Sequence, residues 1–123
     1  MEFDSNITIK QVKDSDELLE FVMFPHDLYK DSKYWVAPIT NEELEVLDRE
    51  INPVFKNALA HYFLAYINGK IVGRVAALIN WVEVNDLKKK KVRFGWFDFI
   101  DNIEVSKALL EKVREIGIKN NLE

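Results

Sequence analysis

The chain has 123 residues, 48% of them apolar and 31% charged, with a net charge of −4; this length suits one domain with its own core, and this balance a folded chain. It contains no cysteine, which excludes disulfides, thiol catalysis and cysteine-ligated metals, and His26 and His61 are too few for an all-protein zinc site. No signal-peptide pattern occupies the first thirty residues and no apolar run reaches the roughly 20 residues that span a bilayer, so a cytoplasmic location without membrane contact is expected.

Ile7, Ile9 and Val12 alternate with polar residues and predict a short strand over about 6–12. Ser15 is a candidate N-cap for a helix whose apolar side is Leu18, Leu19, Phe21, Val22 and Met23. Pro25 predicts its end near Phe24, with a short further turn over His26 to Tyr29. Asp31 to Pro38 reads as a loop anchored by Tyr34 and Trp35. Thr40 or Asn41 then caps a second helix over about 41–49, with Glu42 and Glu43 in the first turn, where the helix dipole favours acids, and Asn52-Pro53 as its stop. Val54 to Ala58 forms a linking turn.

The middle of the chain carries the strongest pattern. Two apolar runs, 61–67 and 70–79, flank Asn68-Gly69, a dipeptide suited to a type I′ turn with positive φ at both positions. A β-hairpin follows. Gly73 in its second strand marks a bulge or a close backbone approach. A polar connection over 80–91 ends in Lys88-Lys89-Lys90-Lys91, and Val92 to Phe99 forms a third strand. Asp101 or Asn102 caps a last helix with an apolar stripe at Val105, Leu109, Val113 and Ile116, widened by Ala108 and Leu110 and closed by Gly117. The class is α/β (α+β): strand, two helices, three strands, helix, in a mainly antiparallel sheet. The last helix has no following strand to cross to, and Leu122-Glu123 looks like a junction before an affinity tag. Residues 1–123 are therefore expected to be the N-terminal half of a domain in a longer protein.

Several segments together carry a family resemblance: Phe24-Pro25 through Leu28-Tyr29, Tyr34-Trp35-Val36-Ala37-Pro38, Asn52-Pro53-Val54-Phe55, Ala65 to Ile79, Arg93-Phe94-Gly95-Trp96-Phe97 and the helix start at Glu104-Val105. Over about residues 7–119 the chain resembles the N-terminal part of bacterial GNAT-like proteins several hundred residues long, in the GNAT N-acetyltransferase superfamily. The resemblance implies an acyl-CoA-dependent acyltransferase region, with acetyl-CoA or another acyl-CoA as cofactor of the longer protein. It places the coenzyme-facing backbone at Trp96, Phe97, Asp98, Phe99 and Asn102.

In that superfamily a glycine-rich loop before the helix cradles the pyrophosphate, because glycines let backbone N–H groups close around an anion. The matching stretch here, Phe99 to Glu104, has no glycine and carries Asp101 and Glu104. The expectation is thus a segment without an intact cofactor site and with none tightly bound. The alternative is a non-catalytic GNAT-like domain that supports its partner or recognises a ligand.

Asp98 stands where a catalytic base could sit, although capping or solvent exposure is the commoner fate of such an acid. His61 could act as an imidazole near neutrality; a half-buried strand histidine is the blander reading, as it is for His26, which with Tyr29, Tyr34 and Trp35 could line a cleft. Phe94, Trp96, Phe97 and Phe99 read as core rather than a stacking platform. Lys88 to Lys91 could meet phosphates of coenzyme A, RNA or acidic lipid, but a solvated loop is the simpler account. The partners expected are the C-terminal remainder of the same protein, or a second copy across an exposed edge at the third hairpin-region strand. Neither nucleic acid nor a membrane is expected.

Overall fold

A computed structural model describes residues 7–32, 40–48, 52 and 57–122. The elements run β1 (Ile7–Gln11), α1 (Ser15–Leu28), α2 (Thr40–Leu47), β2 (Ala58–Ile67), β3 (Lys70–Asn80), α3 (Trp81–Asn85), β4 (Arg93–Phe99) and α4 (Ile103–Lys119). The four strands form one antiparallel sheet in the order β1-β2-β3-β4, flanked by helices as the sequence pattern requires.

Both faces of this sheet are covered, and that explains the continuous apolar runs of β2 and β3. Tyr62 and Leu64 of β2 join Phe21 and Val22 of α1 and Leu47 of α2 in one core. Their neighbours Phe63 and Ala65 point the other way, into a second core with Val105, Leu109 and Val113 of α4. Tyr62 is 2% exposed because its hydroxyl finds a partner, donating to the Leu47 carbonyl at 2.8 Å.

The turn at Asn68 (φ 52°) and Gly69 (φ 78°) has the two positive φ values of a type I′ hairpin. Both expectations for Gly73 are met. Val72 is unmatched between the pairs Ala65–Gly73 and Tyr66–Ile71, making a bulge beside the glycine. A Cβ at Gly73 would lie 2.8 Å from Leu109 Cδ1 and 2.9 Å from Val105 Cγ1, so α4 rests directly on the β3 backbone.

Several boundaries differ from the sequence reading, each for a physical reason. The N-cap of α1 is Asp14 rather than Ser15: its carboxylate accepts the Glu17 N–H at 2.8 Å, while Glu17 accepts the Lys13 N–H at 2.8 Å. The helix α1 does not end at Phe24 but continues through Pro25 to Leu28, because another donor serves the carbonyl that proline leaves open. Strand β2 already begins at Ala58, taking the end of the expected turn. The polar connection contains α3, capped by Asn80, whose side chain accepts the N–H groups of Val82 and Glu83. Asn102 caps α4, but Gly117 lies inside the helix, where a Cβ would meet Val92 Cγ1 at 2.8 Å. The stop comes at Asn121 (φ 59°): Leu122 N–H donates to Gly117 and Asn121 N–H to Ile118, a Schellman turn with asparagine in the left-handed position. The Tyr34-Trp35 anchors and Pro53 to Lys56 fall outside the described residues.

Candidate functional site

The arrangement centres on β4 and its junction with β3. Arg74 pairs with Asp98, and Ala76 with Gly95, so one β3 residue faces two on β4. The extra residue is a bulge at Trp96-Phe97, with Trp96 at φ 45°, a conformation that an L-residue adopts at a cost of about 1–2 kcal/mol. Trp96 packs on the α1/α2 core and Phe97 on the α4 core. The Trp96 indole N–H also points to Glu43 Oε2 of α2 at 3.4 Å, a long contact. Among the described residues, the outer edge of β4 has no partner strand.

Beside the bulge lies a buried polar network. Pro25 has no N–H to donate to the Phe21 carbonyl one turn back. Arg74 Nη1 donates to that oxygen instead, at 2.9 Å. The same guanidinium lies over the Phe21 ring, 5.1 Å from its centroid. Its Nε and Nη2 donate to Asp98 Oδ2 at 2.9 and 2.8 Å, and the Tyr29 hydroxyl donates to Asp98 Oδ1 at 2.7 Å. The Arg74 and Asp98 side chains are only 7% and 18% exposed. The hydrogen bond to Asp98 pushes the Tyr29 phenol up to about 12, helped by burial and the carboxylate charge and opposed by Arg74.

Both oxygens of Asp98 are therefore engaged. Such a carboxylate ties α1 to the sheet; to accept a substrate proton it would have to give up one of these bonds. His61 sits half-buried on β2 with Gln11 Nε2 2.7 Å from its Nδ1. It lies on the α4 side of the sheet, whereas Asp98 faces α1, so the fold does not bring these two candidates together. Phe97 and Phe99 contact each other at 4.8 Å and pack under α4, and Phe94 meets Phe97 edge-on at 5.6 Å.

The β4–α4 junction does not fit a pyrophosphate. Asn102 Oδ1 already accepts the Glu104 N–H at 2.9 Å, Glu104 is 3.8 Å from Lys107, and Asp101 is exposed next to them. The cradle that the family chemistry needs is replaced by an ordinary cap with acids in the first turn. A cavity of about 470 Å³ lies elsewhere, at the start of α1, between Val12, Lys13, Leu18, Leu47 and Tyr62; none of the candidate residues lines it. Among the described residues no group of three or more acids and histidines could hold a metal ion, and no helix is long and apolar enough to cross a membrane.

Sequence reasoning missed Tyr29 and Arg74 as partners of Asp98. Two signals pointed to them: an arginine inside the apolar run of β3, and a proline inside an otherwise helical pattern.

Solved structures decide the fold. A tandem GNAT protein from the clavulanic acid biosynthesis pathway superposes with a TM-score of 0.69 and 13% identity, over 93% of this chain and 34% of the other. An aminoglycoside acetyltransferase from an uncultured soil metagenomic sample, in complex with sisomicin, gives 0.66 and 13% identity over 99% and 76%. The fold is that of the GNAT acetyltransferases. By sequence, the chain is 31% identical over 101 residues to protein YghO of Escherichia coli K12, covering 82% of this chain and 26% of that protein. It is 34% identical over 83 residues to the bacterial ceramide synthase of Caulobacter vibrioides, covering 65% and 22%. The chain thus spans about a quarter of the length of these curated relatives. No family model matches it. Of these features the Trp96-Phe97 bulge and Asp98 lie on β4, while Arg74 belongs to β3 and Tyr29 follows α1.

Proposed function

We propose that this region is the supporting part of an acyl-CoA-dependent N-acyltransferase, with the coenzyme pyrophosphate held outside these residues. The observation that carries the reading is the Trp96-Phe97 bulge, at the middle of an outer strand in a GNAT fold. A bulge takes backbone groups out of the regular ladder and re-aims them, which is how a strand offers N–H groups to a ligand. Glu43 and the Arg74–Asp98–Tyr29 network brace it from the α1/α2 side. The similarity to a ceramide synthase favours an amine on a long-chain amphiphile as acceptor, since ceramide is an N-acylated long-chain base. Asp98 acts as a positioning residue in this account.

A second reading is a non-catalytic GNAT-like domain, favoured by the glycine-free junction and by the full occupation of Asp98. Titration calorimetry with acetyl-CoA and a long-chain acyl-CoA separates the two. The chain alone is expected not to bind, and a chain of the length of its curated relatives to bind. Failure of the longer chain to bind either thioester overturns the acyltransferase reading.

A further inference from the structure

Acyl transfer to an amine needs a group that takes the amine's proton, and neither Asp98 nor His61 is placed to do so. Asp98 has both oxygens engaged by Arg74 and Tyr29. His61 lies on the α4 side of the sheet, bonded to Gln11. At the start of α4, Glu104 is beside Lys107 and Asp101 is exposed next to them. Among the described residues one carboxyl group remains at the bulge. It is Glu43, whose Oε2 is 3.4 Å from the Trp96 indole nitrogen.

The placement of Glu43 follows from α2. Leu44 and Leu47 pack into the α1/α2 core, which Trp96 also joins. Glu43, one residue before Leu44, is carried to the β4 side of the helix and half-buried there, while Glu42 stays exposed. The helix dipole accounts for acids in this first turn, but not for the direction that Glu43 takes. Its Oε2 receives the long indole contact, and its Oε1 has no hydrogen bond or ion pair among the described residues. Glu43 thus keeps the acceptor capacity that Asp98 has given up. The Trp96 side chain joins it to the backbone that the proposed function assigns to the thioester.

We propose that Glu43 is the catalytic base, receiving the acceptor's ammonium at Oε1 and removing its proton beside the bulge. The assignment rests on the acyltransferase reading and deepens it. An N–H proton of the ammonium passes to the Glu43 carboxylate, and the freed lone pair attacks the thioester carbonyl carbon. The C–N bond forms, the C–S bond breaks, and the coenzyme thiolate leaves with the proton that the nitrogen gives up as the amide forms. Glu43 then returns its proton to water. The indole N–H on the other oxygen holds the carboxylate toward β4 throughout.

Glu43→Gln in a chain of the length of the curated relatives tests this, because glutamine still offers an oxygen to the indole but takes no proton. Palmitoyl-CoA is the donor, and two nucleophiles are compared. Dodecylamine is an ammonium ion at neutral pH; O-dodecylhydroxylamine is neutral there and needs no base before it attacks. The variant should lose roughly 10²–10⁴-fold in kcat/KM toward the amine. It should keep most of its rate toward the hydroxylamine and bind the thioester as the wild type does, measured by calorimetry. Glu43→Asp, which retains the carboxyl one methylene further back, should recover part of the amine rate. An undiminished amine rate in Glu43→Gln overturns the assignment. Equal losses toward both nucleophiles, or loss of thioester binding, leave Glu43 as a brace of Trp96 and overturn it as well. A wild-type chain that binds no thioester overturns the acyltransferase reading itself; normal binding with an indifferent Glu43→Gln overturns only the choice of base.

Discussion

Adjacent residues of β3 hold the two faces of the sheet by opposite means. On one face Gly73 gives up its side chain so that Leu109 and Val105 can settle on the backbone, and α4 is held by close apolar contact. On the other, Arg74 reaches into the gap left by Pro25 and is joined to Phe21, to Asp98 and through Asp98 to Tyr29 by four polar contacts of 2.7–2.9 Å. The first interface depends on volume and the second on direction and charge. Apolar packing degrades by degrees when a methyl is added or removed. A buried ion pair fails when one member is lost, because the other keeps its desolvation cost.

That difference orders the effects of substitution. Asp98→Ala leaves the Arg74 guanidinium buried with the Phe21 carbonyl as its remaining partner, and should cost about 3–5 kcal/mol in urea unfolding. Replacing Arg74 by Met in the same variant removes the stranded charge and should recover part of that loss. If Asp98→Ala costs no more than an exposed substitution, the network contributes nothing of this kind and the comparison collapses. Gly73→Val tests the other face. Its side chain would enter space already held by Leu109 and Val105, with Phe99 Cβ 3.2 Å from the new Cβ, and should cost about 1–3 kcal/mol. Because the two contacts under 3.0 Å are to side-chain methyl groups and no buried charge is stranded, the effect should fall below that of Asp98→Ala.

The same contrast explains what could be read from the chain. The hairpin, the α4 stripe and the closeness at Gly73 are local patterns of apolarity and glycine, and each stands in the structure much as the sequence states it. Turn chemistry at Asn68-Gly69 is equally local. The network is not local: Phe21 and Pro25 lie on α1, Arg74 on β3 and Asp98 on β4, and only tertiary pairing brings them together. Proline in a helix reads as a stop because its own rule is local, while its rescue comes from a residue 53 positions away from the carbonyl it leaves open. The bulge at Trp96 escaped for a related reason. A tryptophan at positive φ, unlike Asn68 in its turn, has no sequence signature, and the register that forces it belongs to the strand pair.

The finest test is set by pH and by Tyr29. Its phenol lies at about 12 in the folded chain against an ordinary 10, because the neutral hydroxyl donates to the charged Asp98. An acid whose folded value is raised is favoured in its protonated form by folding. Its contribution is therefore complete below pH 10, where the unfolded chain keeps the proton too. It is lost as pH rises from 10 to 12, where the unfolded chain ionises first. The thermal midpoint of the wild-type chain should accordingly fall more steeply over that interval than the midpoint of Tyr29→Phe, which has no proton to lose. Below pH 9 the two curves should run parallel, offset by the small cost of the missing hydrogen bond. If they stay parallel through pH 12, the phenol is not held by Asp98, and the α1 side of the sheet rests on Arg74 and its carbonyl alone.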